Sequence, residues 1–235
     1  MATAVVTGAS EGLGRALALT LAERGWSLVI DARRPEPLDA VAEQLRAAGA
    51  PDVRPIAGDV AEAGHRAVII AVTEQLGGAD LLVNNASTLG TSPQPSLAEW
   101  TAPGFARVYA VNVFAPLALT QGLLPGLRTH EGRILNISSD AAVEPYEGWG
   151  AYGSSKAALD HLSAILAAEE PSLRVYAVDP GDMRTQLHQD AFPGEDISDR
   201  QEPEAVVPAL LELVEGDLPS GRYRASELAP AGLGR

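Results

Sequence analysis

The sequence of 235 residues contains no cysteine, only four histidines and far fewer basic than acidic residues. Without cysteine the chain forms no disulfide and has no thiolate nucleophile or thiolate metal ligand. No two histidines stand at His-x-x-x-His spacing, so the sequence gives no indication of a zinc site. With 17 Lys and Arg against 31 Asp and Glu, the net charge is −14, which repels nucleic acid and anionic lipid. We therefore expect neither metal catalysis nor a nucleic-acid partner.

Long apolar runs, linkers and repeats are also missing. No uninterrupted apolar segment is long enough to cross a bilayer, and the first strand begins almost at once, without a basic, leader-like region. We therefore expect a cytoplasmic protein with no membrane partner. Apolar residues make up 46% and charged residues 20% of the chain, which is ordinary for a globular protein. No change in composition divides the chain, so one domain over residues 1–235 is expected.

The sequence does contain a regular alternation of short apolar runs and longer amphipathic stretches. The amphipathic stretches have apolar positions three or four residues apart, as helices do. This alternation predicts an α/β fold in which a parallel sheet is covered by helices on both faces. The predicted strands are 3–7, 27–31, 53–57, 80–83, 133–138 and 173–178, and the predicted helices are 12–23, 36–48, 61–76, 100–127 and 152–168.

A glycine-rich turn joins the first predicted strand to the first helix. The segment TGASEGLG, residues 7–14, has glycine at 8, 12 and 14. The first N–H groups of a helix have no partner within the helix and carry partial positive charge, so they bind phosphate well. Strand, glycine-rich turn and helix in this order indicate a dinucleotide pyrophosphate site, and a tight turn alone is the simpler alternative.

Tyr152 and Lys156 lie four residues apart in a predicted helix, so their side chains project from one side of it. An adjacent ammonium favours the phenolate and lowers the tyrosine pKa from about 10 toward the range useful in acid–base catalysis. The pair alone is a weak signal, because an exposed helical pair has the same spacing. Its expected place at the mouth of the sheet favours catalysis.

Six motifs in order make nearly the whole chain resemble the short-chain dehydrogenase/reductase family. They are TGASEGLG (7–14), NNA (84–86), VNV (111–113), NISS (136–139), YGSSK (152–156) and DPGDMRT (179–185). The resemblance implies a Rossmann-type, doubly wound parallel sheet, a nicotinamide dinucleotide and a small-molecule carbonyl or alcohol substrate. It also implies a homodimer or homotetramer, because helices 100–127 and 152–168 resemble those that pair subunits in the family.

The resemblance further implies a catalytic centre of Ser139, Tyr152, Lys156 and Asn112. Tyr152 would exchange a proton with the carbonyl or alcohol oxygen, and Ser139 would hold that oxygen by a hydrogen bond. Ser139 lies thirteen residues before the tyrosine, as the family pattern requires, whereas Ser138 is expected to cap local N–H groups. Lys156 would bind the nicotinamide ribose and depress the Tyr152 pKa, and Asn112 would carry a water that relays protons from Lys156.

Other matched positions are implied to contact the cofactor. Asp59 and the Val60 backbone are expected beside the adenine, although Asp59 could be a solvated turn residue. Asn85 is expected near the adenosine half, and Thr185 is expected to hold the carboxamide or to cap the segment after Pro180. The implied cofactor residues are Gly8, Ser10, Gly12, Leu13, Gly14, Arg33, Asp59, Val60, Asn85, Ala86, Tyr152, Lys156, Pro180, Gly181 and Thr185.

The end of the second strand selects between NAD and NADP. A carboxylate there binds the adenosine ribose and repels a 2′-phosphate, whereas an arginine attracts it. Asp31 lies roughly where an NAD-selecting acid is expected, but the family spacing, eighteen residues after the last glycine, falls on Ala32 with Arg33 beside it. This register favours NADPH, with Arg33 and either Arg34 or Arg15 at the phosphate. A register shifted by one residue would favour NAD.

The expected function is NADPH-dependent reduction of a ketone or aldehyde, reversible as alcohol oxidation. An NAD-dependent alcohol dehydrogenase and a regulatory dinucleotide-binding protein without turnover are the alternatives. Residues 181–200 lie where the family has a substrate lid, and His188 is expected on its surface. Tyr146 and Trp149 either wall the substrate site or pack their own loop. Ser87 stands where the family usually has glycine.

Overall fold

In the computed structural model, which describes residues 1–228, seven strands form one parallel sheet. The strand order is β3-β2-β1-β4-β5-β6-β7. It reverses between β1 and β4, as in Rossmann folds, and the predicted fold class is confirmed. The strands are β1 Thr3–Val6, β2 Ser27–Ala32, β3 Val53–Ala57, β4 Leu81–Asn84, β5 Arg133–Ile137, β6 Arg174–Asp179 and β7 Gly221–Arg224. The predicted domain runs to residue 235, and residues 229–235 lie outside the described range.

Helices connect the strands across both faces of the sheet. They are α1 Gly12–Glu23, α2 Pro35–Ala47, α3 Ala63–Gln75, α4 Ala102–Tyr109, α5 Ala115–Thr129, α6 Gly150–Glu169, α7 Gln186–Ala191 and α8 Val207–Glu215. Four of the predicted helices match α1, α2, α3 and α6 with ends that differ by two residues or fewer. The prediction of one unbroken α-helix over 100–127 is wrong, because a π-helical turn at Ala110–Phe114 separates α4 from α5.

Alternate residues of the central strand face two separate cores. Ala4 and Val6 pack with α1, α2 and α8, whereas Val5 packs on the other face with α3 and α5. All three side chains are almost completely buried. Since burying a side chain of this kind stabilises a fold by roughly 1.5–3 kcal/mol, the two cores hold the sheet rigid. The loops at the C-terminal ends of its strands are therefore built on a fixed platform.

The segment Ala102–Thr129, which spans α4, the π-helical turn and α5, has the length and composition of a membrane-spanning helix. Its most apolar window has a mean hydropathy of 1.3. The expectation from sequence concerned uninterrupted apolar segments, and polar residues such as Asn112 and Gln121 interrupt this one. Half of this window is buried inside the fold, where Leu119, Leu123 and Leu127 pack against the sheet.

Candidate active site

A cleft of about 530 Å³ opens at the C-terminal ends of the parallel strands. This volume lies in the range of ordinary small-molecule sites. The cleft is lined by every predicted site residue except Gly14 and Asn112. Both of these residues are buried behind its wall. No group of three or more His, Asp or Glu side chains in residues 1–228 is arranged to hold a metal ion.

The glycine-rich loop needs glycine at two of its positions for steric reasons. Gly8 has a φ of +65°, and a β-carbon there would lie 2.9 Å from the Ala86 Cα atom. A β-carbon on Gly14 would lie 2.5 Å from the Gly8 carbonyl oxygen. Since no side chain caps the start of α1, its first N–H groups stay open beside the cleft. The loop and helix therefore form a concave, positively polarised surface that fits a pyrophosphate.

Residues after β4 brace this loop from behind. The Thr7 hydroxyl accepts hydrogen bonds from the backbone N–H groups of Asn85 and Ala86, each at 3.0 Å. The Asn85 side-chain amide donates to the carbonyl oxygens of Thr7, at 2.8 Å, and Gly8, at 3.0 Å. Asn85 lines the cleft, and its N–H groups are already used to hold the glycine-rich loop.

The three arginines considered for a 2′-phosphate are placed differently. Arg33 lines the cleft, and neither a hydrogen bond nor an ion pair to a residue in the range 1–228 holds its guanidinium. Arg34 also lines the cleft but pairs with Glu11 at 3.3 Å. Arg15 donates to Gln44 at 2.9 and 3.2 Å and does not line the cleft. Arg33 is therefore the arginine best placed to meet a phosphate.

Asp59, at the end of β3, is bonded on both carboxylate oxygens. It accepts from the Ala61 N–H at 2.9 Å and from the Arg107 guanidinium at 2.5 Å. Burial acts to raise the Asp59 pKa, but the Ala61 N–H and Arg107 outweigh it, so the pKa lies below its usual value. The two bonds hold the Asp59 side chain at the cleft, and it is still 31% exposed. Arg107 lines the cleft too, and nothing in its sequence context indicated this.

Tyr152 and Lys156 lie on the first turns of α6 and are 6% and 2% exposed. The Lys156 ammonium donates to the Ile137 carbonyl at 2.7 Å and lies 5.5 Å from the centre of the Tyr152 ring. Burial raises the pKa of Tyr152 to about 12 and lowers that of Lys156 to about 8. The expectation that Lys156 depresses the Tyr152 pKa is therefore not met in the protein alone, because removal of the phenol from water is the larger effect.

Two serine hydroxyls interact with the Tyr152 phenol and partly offset this rise in pKa. They belong to Ser139, after β5, and to Ser87, after β4. The Ser139 hydroxyl also donates to Asp140 at 3.0 Å and accepts from the Ala141 N–H at 3.1 Å. The expectation that Ser138 caps local N–H groups is wrong, because its buried hydroxyl has no hydrogen-bond partner in residues 1–228.

Asn112 lies in the π-helical turn and acts as a clamp between three elements. Its amide donates to the Thr88 carbonyl and to the Ser155 hydroxyl of α6, each at 3.0 Å, and its oxygen accepts from the Thr88 N–H at 3.0 Å. Pro116, four residues later, has no N–H to donate to the Asn112 carbonyl, so the α-helical bond at this point cannot form. This is a local reason for the wider turn, a feature often found at functional sites.

An apolar cluster surrounds Tyr152. Trp149 lines the cleft with its ring centroid 5.6 Å from that of Tyr152, so it walls the site. Tyr146 does not line the cleft and packs behind Trp149 at 6.0 Å. The rest of the cluster consists of Leu89, Ala141, Leu187 and Ala191.

The segment after β6 forms part of the cleft wall. Gly181, Met183, Leu187 and Ala191 line it, and Thr185 caps α7 by accepting from the His188 N–H at 3.2 Å. The expectation that His188 is a surface residue is wrong, since its side chain is 11% exposed and its Nε2 atom is buried without a partner in residues 1–228. The α7 helix was not predicted.

Residues 2–196 match the family model described as short chain dehydrogenase. The chain belongs to the short-chain dehydrogenase family. Over 200 residues this short-chain dehydrogenase is 40% identical to a sepiapterin reductase of Meriones unguiculatus, an alignment covering 80% of this chain and 76% of the relative.

Solved structures of the family superpose closely on this short-chain dehydrogenase. One is a short chain dehydrogenase from Shigella flexneri complexed with NADP, at 29% identity and a TM-score of 0.88, with 96% of this chain and 97% of that chain covered. Another is a short chain dehydrogenase from Escherichia coli CFT073 complexed with NADPH, at 29% identity and a TM-score of 0.86, with coverage of 95% and 96%. The resemblance first noted from six motifs is confirmed over almost the whole fold.

Proposed function

We propose that this protein is an NADPH-dependent reductase of ketones or aldehydes and catalyses the reverse alcohol oxidation. One observation carries the proposal: the cleft lined by Ser139, Tyr152 and Lys156 is also lined by the glycine-rich loop and Arg33. A regulatory protein that only bound a dinucleotide would have no use for a buried phenol beside a buried ammonium in this cleft.

The residues of the cleft fit a nicotinamide dinucleotide phosphate. Gly8 and Gly12 would leave room for the pyrophosphate at the start of α1, and Arg33 would bind the 2′-phosphate. Asp59 would lie at the adenine, while Lys156 would reach the nicotinamide ribose. When bound, the reduced cofactor supplies a hydride to the carbonyl carbon. The complexes of two similar structures with NADP and NADPH support this choice over NAD.

The side chains of this protein would then supply the proton. With its pKa near 12, Tyr152 is protonated at neutral pH and can donate its hydrogen to the carbonyl oxygen. Ser139 would hold the same oxygen through its hydroxyl and stabilise the negative charge that develops there. The Lys156 ammonium would stabilise the phenolate left behind, since it lies close to the Tyr152 ring.

The shape of the cleft supports a medium-sized substrate with an apolar part. Trp149, Leu89 and Leu187 form apolar walls beside Tyr152. Residues 181–200 would act as a lid, with Leu187 as part of its inner surface. The similarity to a sepiapterin reductase supports reduction as the favoured direction.

Association of identical subunits is part of the proposal. Phe114 and Leu117, in the π-helical turn and α5, and Ile165 of α6 are 57%, 39% and 41% exposed. Large apolar side chains exposed on neighbouring helices are typical of subunit interfaces, so we propose a homodimer or homotetramer.

The proposed function is tested by titrating the purified protein with NADPH and with NADH at fixed salt, followed by a panel of ketones and aldehydes. Consumption of NADPH is read as loss of nicotinamide absorbance. We expect tighter binding of NADPH and turnover of at least one carbonyl compound. Binding without turnover across a broad panel would instead favour the regulatory alternative, and tighter binding of NADH would favour an NAD-dependent enzyme.

A further inference from the structure

Asp31, at the C-terminal end of β2, lines the cleft and is bonded to the glycine-rich loop. Its Oδ1 atom accepts from the Gly8 N–H at 3.0 Å, and its backbone carbonyl accepts from the Ala9 N–H at 2.9 Å. The side chain is 4% exposed. Two consecutive N–H groups of the loop are therefore held by one residue of the neighbouring strand.

His65, on the first turn of α3, holds the other side of this carboxylate. Its Nε2 atom lies 3.0 Å from Asp31 Oδ2, and its side chain is only 9% exposed. Because an ionised carboxylate can only accept hydrogen bonds, Nε2 carries the hydrogen in this pair. The imidazole packs on Gly58, where a β-carbon would lie 2.3 Å from the ring. Gly58 thus leaves the space that lets a histidine from α3 reach the end of β2.

The proposed reduction does not use the bonds of Asp31 to the glycine-rich loop and to His65. Because a buried carboxylate is costly without hydrogen-bond partners, these bonds also make the burial of Asp31 possible. The loop takes the left-handed conformation at Gly8, whose φ of +65° few other residues would adopt. With the Gly8 N–H bonded to Asp31, the peptide group at this position cannot rotate freely.

We propose that Asp31 and His65 are positioning residues, which hold Gly8 in the conformation that receives the cofactor pyrophosphate. Asp31 is then not a ligand of the adenosine ribose, although it is an acidic residue at the end of β2. This inference rests on the proposed cofactor site.

The test compares equilibrium binding of two ligands, NADP⁺ and adenosine 2′-monophosphate, by calorimetry. The second ligand has the 2′-phosphate but no pyrophosphate, so it does not depend on the glycine-rich loop. Asp31→Leu removes both side-chain bonds, Asp31→Asn keeps an acceptor for the Gly8 N–H, and His65→Phe keeps the ring on Gly58 without its bond. Arg33→Ala is the matched control at the 2′-phosphate.

We expect Asp31→Leu to weaken NADP⁺ binding by about tenfold or more, as for loss of a hydrogen bond to a charged group, and to change adenosine 2′-monophosphate binding less than about twofold. Asp31→Asn should stay within about threefold of the wild type for both ligands, because it keeps the acceptor. His65→Phe should weaken NADP⁺ alone, by a smaller factor. Arg33→Ala should weaken both ligands.

Unchanged NADP⁺ binding by a folded Asp31→Leu protein would overturn the inference, as would an equal loss for both ligands, which is the result expected of a ribose ligand. The inference would also be overturned if Asp31→Asn lost as much NADP⁺ affinity as Asp31→Leu. The negative charge of Asp31, and not its hydrogen bond to the Gly8 N–H, would then be what matters. If Asp31→Leu does not fold, the test rests on His65→Phe. Wild-type NADP⁺ affinity in that variant would overturn the inference. Failure of the wild type to bind NADP⁺ would instead refute the proposed function, and the inference with it.

Discussion

The Lys156 ammonium lies 5.5 Å from the centre of the Tyr152 ring and donates its hydrogen bond to the Ile137 carbonyl at 2.7 Å. The ammonium is thus held beside the ring by the end of β5. Both side chains are buried, and burial shifts the two pKa values in opposite senses, to about 12 for the phenol and about 8 for the ammonium. The protein alone therefore has a protonated acid beside a cation that is close to losing its charge near neutral pH.

This arrangement predicts how carbonyl reduction depends on pH. Below pH 8, Tyr152 is protonated and most Lys156 is charged, so the reducing form predominates; above pH 8, Lys156 loses the charge that stabilises the phenolate. We expect kcat/KM for NADPH, which reports the groups of the free enzyme, to fall as pH rises from 8 to 10. The measurement is a series of initial rates between pH 6 and 10 at saturating ketone. A value that is constant or rising over pH 8–10 would refute the assigned role of Lys156.

Replacing Tyr152 by phenylalanine removes the proton donor and keeps the ring that packs against Trp149. We expect kcat to fall by about 10²–10⁴-fold, the usual contribution of a general acid, while NADPH binding changes less than about threefold. Steady-state rates and a fluorescence titration check the two halves of this prediction. Tyr109→Phe is the control, because Tyr109 does not line the cleft, and it should keep wild-type activity. More than a tenth of wild-type kcat in Tyr152→Phe would exclude this residue as the acid.

Arg33→Ala tests the choice between the two nicotinamide cofactors. Loss of a charge-assisted bond to a 2′-phosphate should weaken NADPH by about tenfold or more and leave NADH within about twofold. Arg15→Ala is the matched control, since its guanidinium bonds to Gln44 outside the cleft. Dissociation constants for both cofactors, measured at the same salt concentration, give the comparison. An equal loss for both cofactors would mean that Arg33 does not read the phosphate.

Six of the seven strands and four of the helices were predictable from the sequence because their apolar periodicity is strong. The ends of β1, β2 and β5 differ from the prediction by one residue or less, since hydrophobic burial on both faces determines where a parallel strand runs. By contrast, α7 is a helix of six residues with none buried, so it leaves no apolar periodicity for such an analysis to find.

The sequence predicts those site residues whose type and spacing indicate a chemical role. It does not predict contacts between residues that are far apart in the sequence and are brought together by the fold. Tyr152 and Lys156 follow from a spacing of four residues on a helix. The contact of His65 with Asp31 joins residues 34 apart in sequence and depends on the space left at Gly58, which no local pattern indicates. The Ser138 hydroxyl is buried without a hydrogen-bond partner in residues 1–228, which also depends on packing and not on a local sequence pattern.

The amide of Asn112 holds Thr88 through two hydrogen bonds and α6 through a third, so Asn112→Ala should affect stability as well as turnover. Because these bonds leave buried partners unsatisfied when lost, we expect the free energy of unfolding to fall by about 2–4 kcal/mol. Ser139→Ala is the control: its hydroxyl is partly exposed, so stability should fall by no more than about 1 kcal/mol while kcat drops. Urea denaturation and initial rates on both variants separate the two effects. An Asn112→Ala protein as stable as the wild type but inactive would show that the residue acts in proton transfer and not as a clamp.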